Sequence, residues 1–292
     1  MIWPAIFAVL SPFFWGVMNI IDKYVLVKKV RKPASFIPVF GLVHLIAGIV
    51  IASFLDWSKV FPGDFFFPAL AGILFGCQGY FYVFVMKTED ASHVIGLAYA
   101  YPLLLALLSF VFLREIIPLQ GYIGVGIVIA GIVLLSFRFK KVKLAHAGRI
   151  IIWLIFLIAL TEFFVKVASG KISGWQGLSI NSFAVGITLL FALLNRKVRA
   201  NFGSELKNIP WAFFSEIFTL FGTGTLYFAM AGLPATVVSS VGATQPLIVL
   251  FLERITERMT GKLTKDHALL PKLGAISLIV IGIALLYFSG VV

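Results

Sequence analysis

Apolar residues fill this chain in long blocks, and short polar stretches separate the blocks. A spanning helix needs about 20 mostly apolar residues. Ten stretches reach that length: 4–27, 34–54, 66–86, 91–113, 118–137, 149–169, 175–194, 209–231, 235–255 and 270–289. The breaks carry the right residues for helix starts. Asp90 can cap the fourth stretch, Pro118 opens the fifth, and Pro234 suits the start of the ninth. The first block has no Lys or Arg before Lys23 and is longer than a signal-peptide core, so it reads as a retained first span. The predicted fold class is an all-α integral membrane protein with ten transmembrane helices.

The pattern also repeats. Residues 80–113 read YFYVFVMKTEDASHVIGLAYAYPLLLALLSFVFL, and residues 224–252 read GTLYFAMAGLPATVVSSVGATQPLIVLFL. A shift of 144 sets Ala91 on Ala235, Ser92 on Thr236 and Pro102 on Pro246. The unit that repeats holds five spans, which divides the chain into 1–144 and 145–292. An odd number of spans forces the two copies into opposite orientations, an inverted repeat about an axis in the membrane plane. Each proline interrupts a membrane-length segment at the same place in its half. Such paired interruptions point to a transporter's binding site.

Composition agrees with the membrane class. Of the 292 residues, 61% are hydrophobic and 12% charged, with a mean hydropathy of +1.05. A soluble domain of this length carries about twice that share of charge. The net charge of +12 does not call for nucleic acid, because the basic residues sit in short loops. Odd-numbered loops hold 19 of them: Lys28, Lys29, Arg31, Lys32, Lys87, Arg138, Lys140, Lys141, Lys143, Arg149, Arg196, Lys197, Arg199, Lys207, Arg254, Arg258, Lys262, Lys265 and Lys272. Even-numbered loops hold 3, namely Lys59, Arg114 and Lys171. The positive-inside rule then puts the odd loops in the cytoplasm and both termini outside the cell membrane. The single cysteine, Cys77, rules out an intrachain disulfide or a multi-cysteine metal site, and its apolar setting marks it as a packing residue.

The stretch Ala91-Ser92 … Pro102 … Leu113-Arg114-Glu115 … Gly121, with Gly131-Ile-Val-Leu-Leu after it, is answered by Ala235-Thr236 … Pro246 … Gly274 and Gly282-Ile-Ala-Leu-Leu. Trp15-Gly16 and Lys23 open the first half, and Lys166 answers Lys23 at a shift of 143. In this duplicated order the chain resembles the drug/metabolite transporter superfamily, and within it the EamA-type ten-span proteins. The resemblance extends over nearly the whole chain. It implies alternating-access transport of small metabolites, with amino acids the first expectation and lipid-linked sugars a second. The long basic linker 254–272 departs from the family pattern. The resemblance also implies cytoplasmic termini, against the loop charges.

Polar groups in hydrocarbon are costly, so each one inside a span is a candidate for function. His44, central in the second span, either binds a solute or proton or bonds a neighbouring helix. Glu162, in the sixth span, has Lys166 one turn on, facing the same side. The two form either a clamp for a zwitterion or a self-neutralising pair, with Lys166 near enough to the span end to snorkel. Asn19 holds the position equivalent to Glu162 in the first half. Glu216 precedes Phe221-Gly222-Thr223-Gly224-Thr225, whose glycines either loosen the helix toward a cavity or let it pack closely. Gln78 and Tyr82 lie in the third span. Tyr99 and Tyr101 precede Pro102, and Gln245 precedes Pro246 at the position matching Tyr101.

Each proline removes a helix hydrogen bond and predicts a kink in the preceding turn. The freed carbonyls must then meet water, solute or polar side chains. Trp15 sits mid-span, away from the interface belts, and either lines a cavity or packs. Asp22 and Lys23 read as a solvated face, with a gate at the cytoplasmic mouth as the alternative. Gly72 and Gly76 form a small-xxx-small pattern for close helix packing.

No catalytic order of Ser, His and Asp, no metal-ligand spacing and no phosphate loop occurs in a suitable context, so neither enzyme, metal nor cofactor is expected. The expected partners are a small-molecule substrate, the lipid bilayer and protons, and not nucleic acid. The leading reading is a secondary transporter of a small polar or amphipathic metabolite. The runner-up is a flippase for a lipid-linked sugar or phosphate, suggested by the Phe-rich interior and the basic loops.

Overall fold

The computed structural model describes residues 2–88, 98, 100–136, 144–259 and 269–289. Among the described residues there are helices and turns and no strand. The helices are α1 (Ile2–Lys28), α2 (Pro33–Ser53), α3 (Phe66–Thr88), α4 (Tyr101–Leu108), α5 (Leu119–Ser136) and α6 (Leu144–Ser169). They continue with α7 (Gly174–Leu190), α8 (Arg196–Glu205), α9 (Ile209–Gly232), α10 (Ala235–Gly242), α11 (Gln245–Met259) and α12 (Leu269–Phe288). Among the described residues six stretches are long and apolar enough to cross a membrane: Ile2–Lys28, Pro33–Ser53, Pro62–Lys87, Ile152–Ser169, Gly174–Leu194 and Ala235–Thr256. Tyr101–Leu113 and Leu119–Gly131 are apolar but shorter. Large apolar side chains such as Phe112, Phe213, Phe251 and Ile152 point outward, as a bilayer-facing surface requires.

Local chemistry sets the helix ends. Pro118 accepts from the Gly121 and Tyr122 N–H groups at the start of α5, and Pro234 stands just before α10, both where the sequence put them. Ser173 opens α7 with a capping box, accepting from the Gln176 N–H while Gln176 Oε1 accepts from the Ser173 N–H. The expected cap at Asp90 lies outside the described residues.

Two expectations change in detail. The ninth stretch was expected to be one helix kinked before Pro246. Instead α10 stops at Gly242, Ala243 and Thr244 turn, and α11 begins at Gln245. Pro102 is likewise the second residue of α4. A proline in the first turn forfeits no hydrogen bond, because that N–H has no partner in any helix. At Pro246 the chain therefore restarts a helix rather than bending one, and Pro102 stands in the first turn of α4. The second change is α8, a short basic helix between the seventh and eighth stretches, too polar and short for a span search to find. Lys32 holds it to the start of α2: its Nζ donates to Asn201 Oδ1 at 2.6 Å and its N–H to Glu205 Oε1 at 3.3 Å.

Helices from the first 136 residues pack chiefly on helices that come after them. α1 lies along α9, α2 along α7, α3 along α6 and α7, and α5 along α12. Glycines bring backbones together. A Cβ on Gly186 would lie 2.6 Å from Leu45 N, and one on Gly48 2.7 Å from Phe183 N. Gly72 abuts the Asn181 carbonyl and Gly76 the Thr188 side chain, so the small-xxx-small pattern of α3 serves its contact with α7.

Candidate functional site

Where these helices converge they leave a cavity of about 170 Å³. Sites for drug-sized ligands run to about 300–1,000 Å³, so this one has room for a small metabolite. Three helices contribute one stripe each. α1 offers Ser11, Trp15, Asn19 and Asp22; α6 offers Thr161 and Glu162; α9 offers Glu216, Thr219 and Thr223. Spacings of three and four residues keep the α1 and α9 sets each on one helix face, and on α6 the lining residues Leu154, Ile158, Thr161 and Val165 follow the same spacing with Glu162 beside them.

Two polar groups stand in the cavity. In the first, the Tyr82 hydroxyl lies 2.7 Å from Asn19 Oδ1 and 3.1 Å from Asp22 Oδ2, and Ser215 Oγ donates to Asp22 Oδ1. Beside it, His44 Nε2 is 2.8 Å from Glu216 Oε2, at ion-pair distance though not aligned as a hydrogen bond. In the second, Tyr101 donates to Glu162 Oε1 at 2.6 Å, and Gln78 Nε2 reaches Thr161 Oγ1 at 3.5 Å. Several buried atoms have no hydrogen-bond partner among the described residues: Asn19 Nδ2, His44 Nδ1, Glu162 Oε2 and Asn181 Nδ2. A bare buried polar atom costs about 1–3 kcal/mol. Four of them lining one cavity make a place for a ligand's polar groups or for water.

Most of the residues singled out by the sequence therefore meet in one place. Trp15, Asn19, His44, Gln78, Tyr82, Tyr101, Glu162, Glu216 and Gln245 all line the cavity. Pro102 and Pro246 do not line it, but each starts the helix whose first residue, Tyr101 or Gln245, does. Trp15 reaches the wall because Gly222 leaves room for its indole, which resolves the glycine pair as close packing within a continuous α9. Tyr99 lies outside the described residues.

Lys166 is elsewhere. Its Nζ donates to the Met230 and Leu233 carbonyls, at 2.8 Å each, and pairs with Glu115 Oε1 at 3.2 Å. Glu115 Oε2 accepts from the Ala235 N–H at 2.8 Å. Lys166 is thus neither a clamp with Glu162 nor a snorkelling group. Asp22 is the larger surprise: it is buried, not solvated. Its place three residues on from Asn19, on the same stripe, was the signal for it. Thr219 and Thr223 follow Glu216 at helical spacing in the same way, whereas Asn181 had no signal beyond being a lone amide in an apolar run. Among the described residues no group of three His, Cys, Asp or Glu could hold a metal ion.

Residues 2–137 match the model of the EamA-like transporter family. Over those residues, just under half of its length, the chain is similar to that family. It is a membrane transporter family. No curated protein matches the sequence. A solved chain described as "Crystal structure of protein" has a TM-score of 0.66 at 14% identity, covering 98% of this chain and 97% of that one. At that identity the likeness shows a shared fold. The EamA-like match takes in Trp15, Asn19, Asp22, His44, Gln78, Tyr82 and Tyr101 but ends before Glu162 and Glu216. In this EamA-like chain the meeting of those two glutamates with the first group is a finding of the structure alone.

Proposed function

We propose that the protein is a secondary transporter that moves a small polar or amphipathic metabolite, an amino acid or related solute, by alternating access. The observation that carries this reading is the cavity, with bare polar atoms of Asn19, His44, Glu162 and Asn181 on its wall. Ten spans cross the cell membrane as two inverted five-helix repeats, 1–144 and 145–292, with the odd loops cytoplasmic and both termini outside. Exchange symmetry in the packing supports the repeat. A shift of about 144 turns the α1–α9 contact into the contact of α6 with α3, and returns α2–α7 and α5–α12 to themselves. Lys23 Nζ donates to Met86 O at 2.9 Å, as Lys166 does to Met230 O. Both are what a two-fold axis would produce.

Glu162, Glu216 and His44 are the groups proposed to carry protons, with Asp22, Tyr82 and Tyr101 as the titratable neighbours that face them. The flippase reading is the weaker one. Asp22, Glu162 and Glu216 line the cavity and no described lining residue is Lys or Arg, a poor match for an anionic phosphate headgroup.

The test is thermal unfolding of purified protein against amino acids, amines, sugars, nucleosides and lipid headgroups, followed by uptake of any hit into proteoliposomes. A ligand at 100 times its Kd adds about 2.7 kcal/mol to the bound state. Uptake of a stabilising solute supports the transporter. Stabilisation by anionic lipid alone, with no solute moved, overturns it. If Glu162→Gln, Glu216→Gln and His44→Gln each leave the pH dependence of uptake unchanged, the proton part fails and transport stands.

A further inference from the structure

We infer that the ligand of this cavity is a small organic monocation, a protonated amine on an aromatic or alkyl body with no carboxylate of its own. The inference rests on the transporter reading above, keeps its small amphipathic solute and puts an amine in place of the amino acid. Three carboxyl groups line the cavity, and their compensation is uneven. Glu216 has His44 beside it at 2.8 Å. Among the described residues Asp22 accepts only from the neutral Ser215 and Tyr82 hydroxyls. Glu162 accepts from Tyr101 through Oε1, and its buried Oε2 has no partner among the described residues.

The two lysines near these helices are engaged elsewhere, Lys166 on Glu115 and the 230–233 carbonyls and Lys23 on Met86 O. A buried carboxylate without a cation is costly, and either a proton or a bound cation relieves it; the unpartnered Oε2 facing the cavity gives a protonated amine a place to do so. Trp15 and Phe75, edge to face at 5.4 Å, line the same cavity and suit an apolar body attached to that charge. The bare amide nitrogens of Asn19 and Asn181 can donate to a hydroxyl or carbonyl oxygen on the body. A carboxylate there would instead lie among three acidic side chains. The small volume, about 170 Å³, selects a compact amine.

The experiment compares ligands that differ only at the deciding groups. Tyramine is set against tyrosine, which adds a carboxylate, and against 4-ethylphenol, which lacks the amine; tryptamine and tryptophan form a second pair. Binding to the wild-type protein is read by thermal shift and by calorimetry in detergent. The inference expects each amine to bind at least tenfold more tightly than its parent amino acid and than the uncharged phenol. It also expects Glu162→Gln to weaken amine binding tenfold or more while the size-exclusion profile stays that of the wild type. Equal or tighter binding of the amino acids overturns the inference and leaves the transporter reading standing, as does amine binding that Glu162→Gln does not change in a folded protein. Amine binding without amine uptake into proteoliposomes keeps the ligand class and overturns transport. No binding by either amine overturns the inference, and transport is then decided separately by the wider solute screen.

Discussion

Glu216 and His44 are both buried and hold each other at 2.8 Å, so neither can be judged alone. Removing one partner of a buried polar pair leaves the other without its compensation, at about 1–3 kcal/mol. His44→Ala is expected to lose about that much stability. The double variant His44→Ala with Glu216→Gln should recover part of it. A thermal-unfolding double-mutant cycle checks this, and a double variant no more stable than His44→Ala would deny the coupling. At this scale the sequence was most informative where a polar residue stood alone in an apolar run, as with His44, Gln78, Glu162 and Glu216. It misled where the deciding partner was remote. Asp22 looks solvated because Lys23 and Lys28 follow it, yet Tyr82 and Ser215, from α3 and α9, enclose it. Lys166 looks like a partner for Glu162, one turn away, yet it bonds Glu115, which no helical spacing links to it.

Helices reveal themselves by length and hydropathy, and for the six described stretches that are long and apolar enough to cross a membrane those features set the ends to within a few residues. What they do not reveal is which helix lies against which. Close approach does so in part. Gly186 touches the Leu45 backbone, and Gly186→Val is expected to abolish the folded protein, read as loss of the monodisperse peak in detergent. Gly126 has nothing within 4 Å of an added Cβ, so Gly126→Ala should be neutral or stabilising by up to about 1 kcal/mol through helix propensity. The prolines act on the element as well. With Pro246→Ala the turn at Ala243 and Thr244 is free to become helical. That variant should keep its thermal midpoint within a few degrees while uptake falls several-fold. A midpoint that drops together with uptake would assign Pro246 to the fold and not to the cycle. The sequence marked the positions of Pro102 and Pro246 but described a bend, because proline chemistry alone does not say whether a helix continues after it or starts anew.

Across the whole molecule, Glu115 ties the turn after α4 to Lys166 at the end of α6 and to the Ala235 N–H that starts α10. Arg114, at φ 52°, turns the chain so that Glu115 can reach them. If this tie holds one mouth of the cavity shut, Glu115→Gln should speed labelling of a cysteine at Ala98, which lines the cavity, by a membrane-impermeant thiol reagent in a Cys77→Ser background. An unchanged rate would make the tie purely structural. Orientation has its own check: a reporter fused after Val292 should be external, and a cytoplasmic signal would reverse the reading of loop charge. The Asp22–Ser215 bond has one more consequence, for biogenesis. Its two ends are 193 residues apart. At about 5–20 residues per second, the nascent chain inserts Asp22 about 10–40 s before Ser215 exists. Through that interval α1 must keep an aspartate in or near the membrane without its final neighbours. A product truncated after α5 should therefore be cleared by quality-control proteases, and supplying the remaining helices as a separate polypeptide should rescue it.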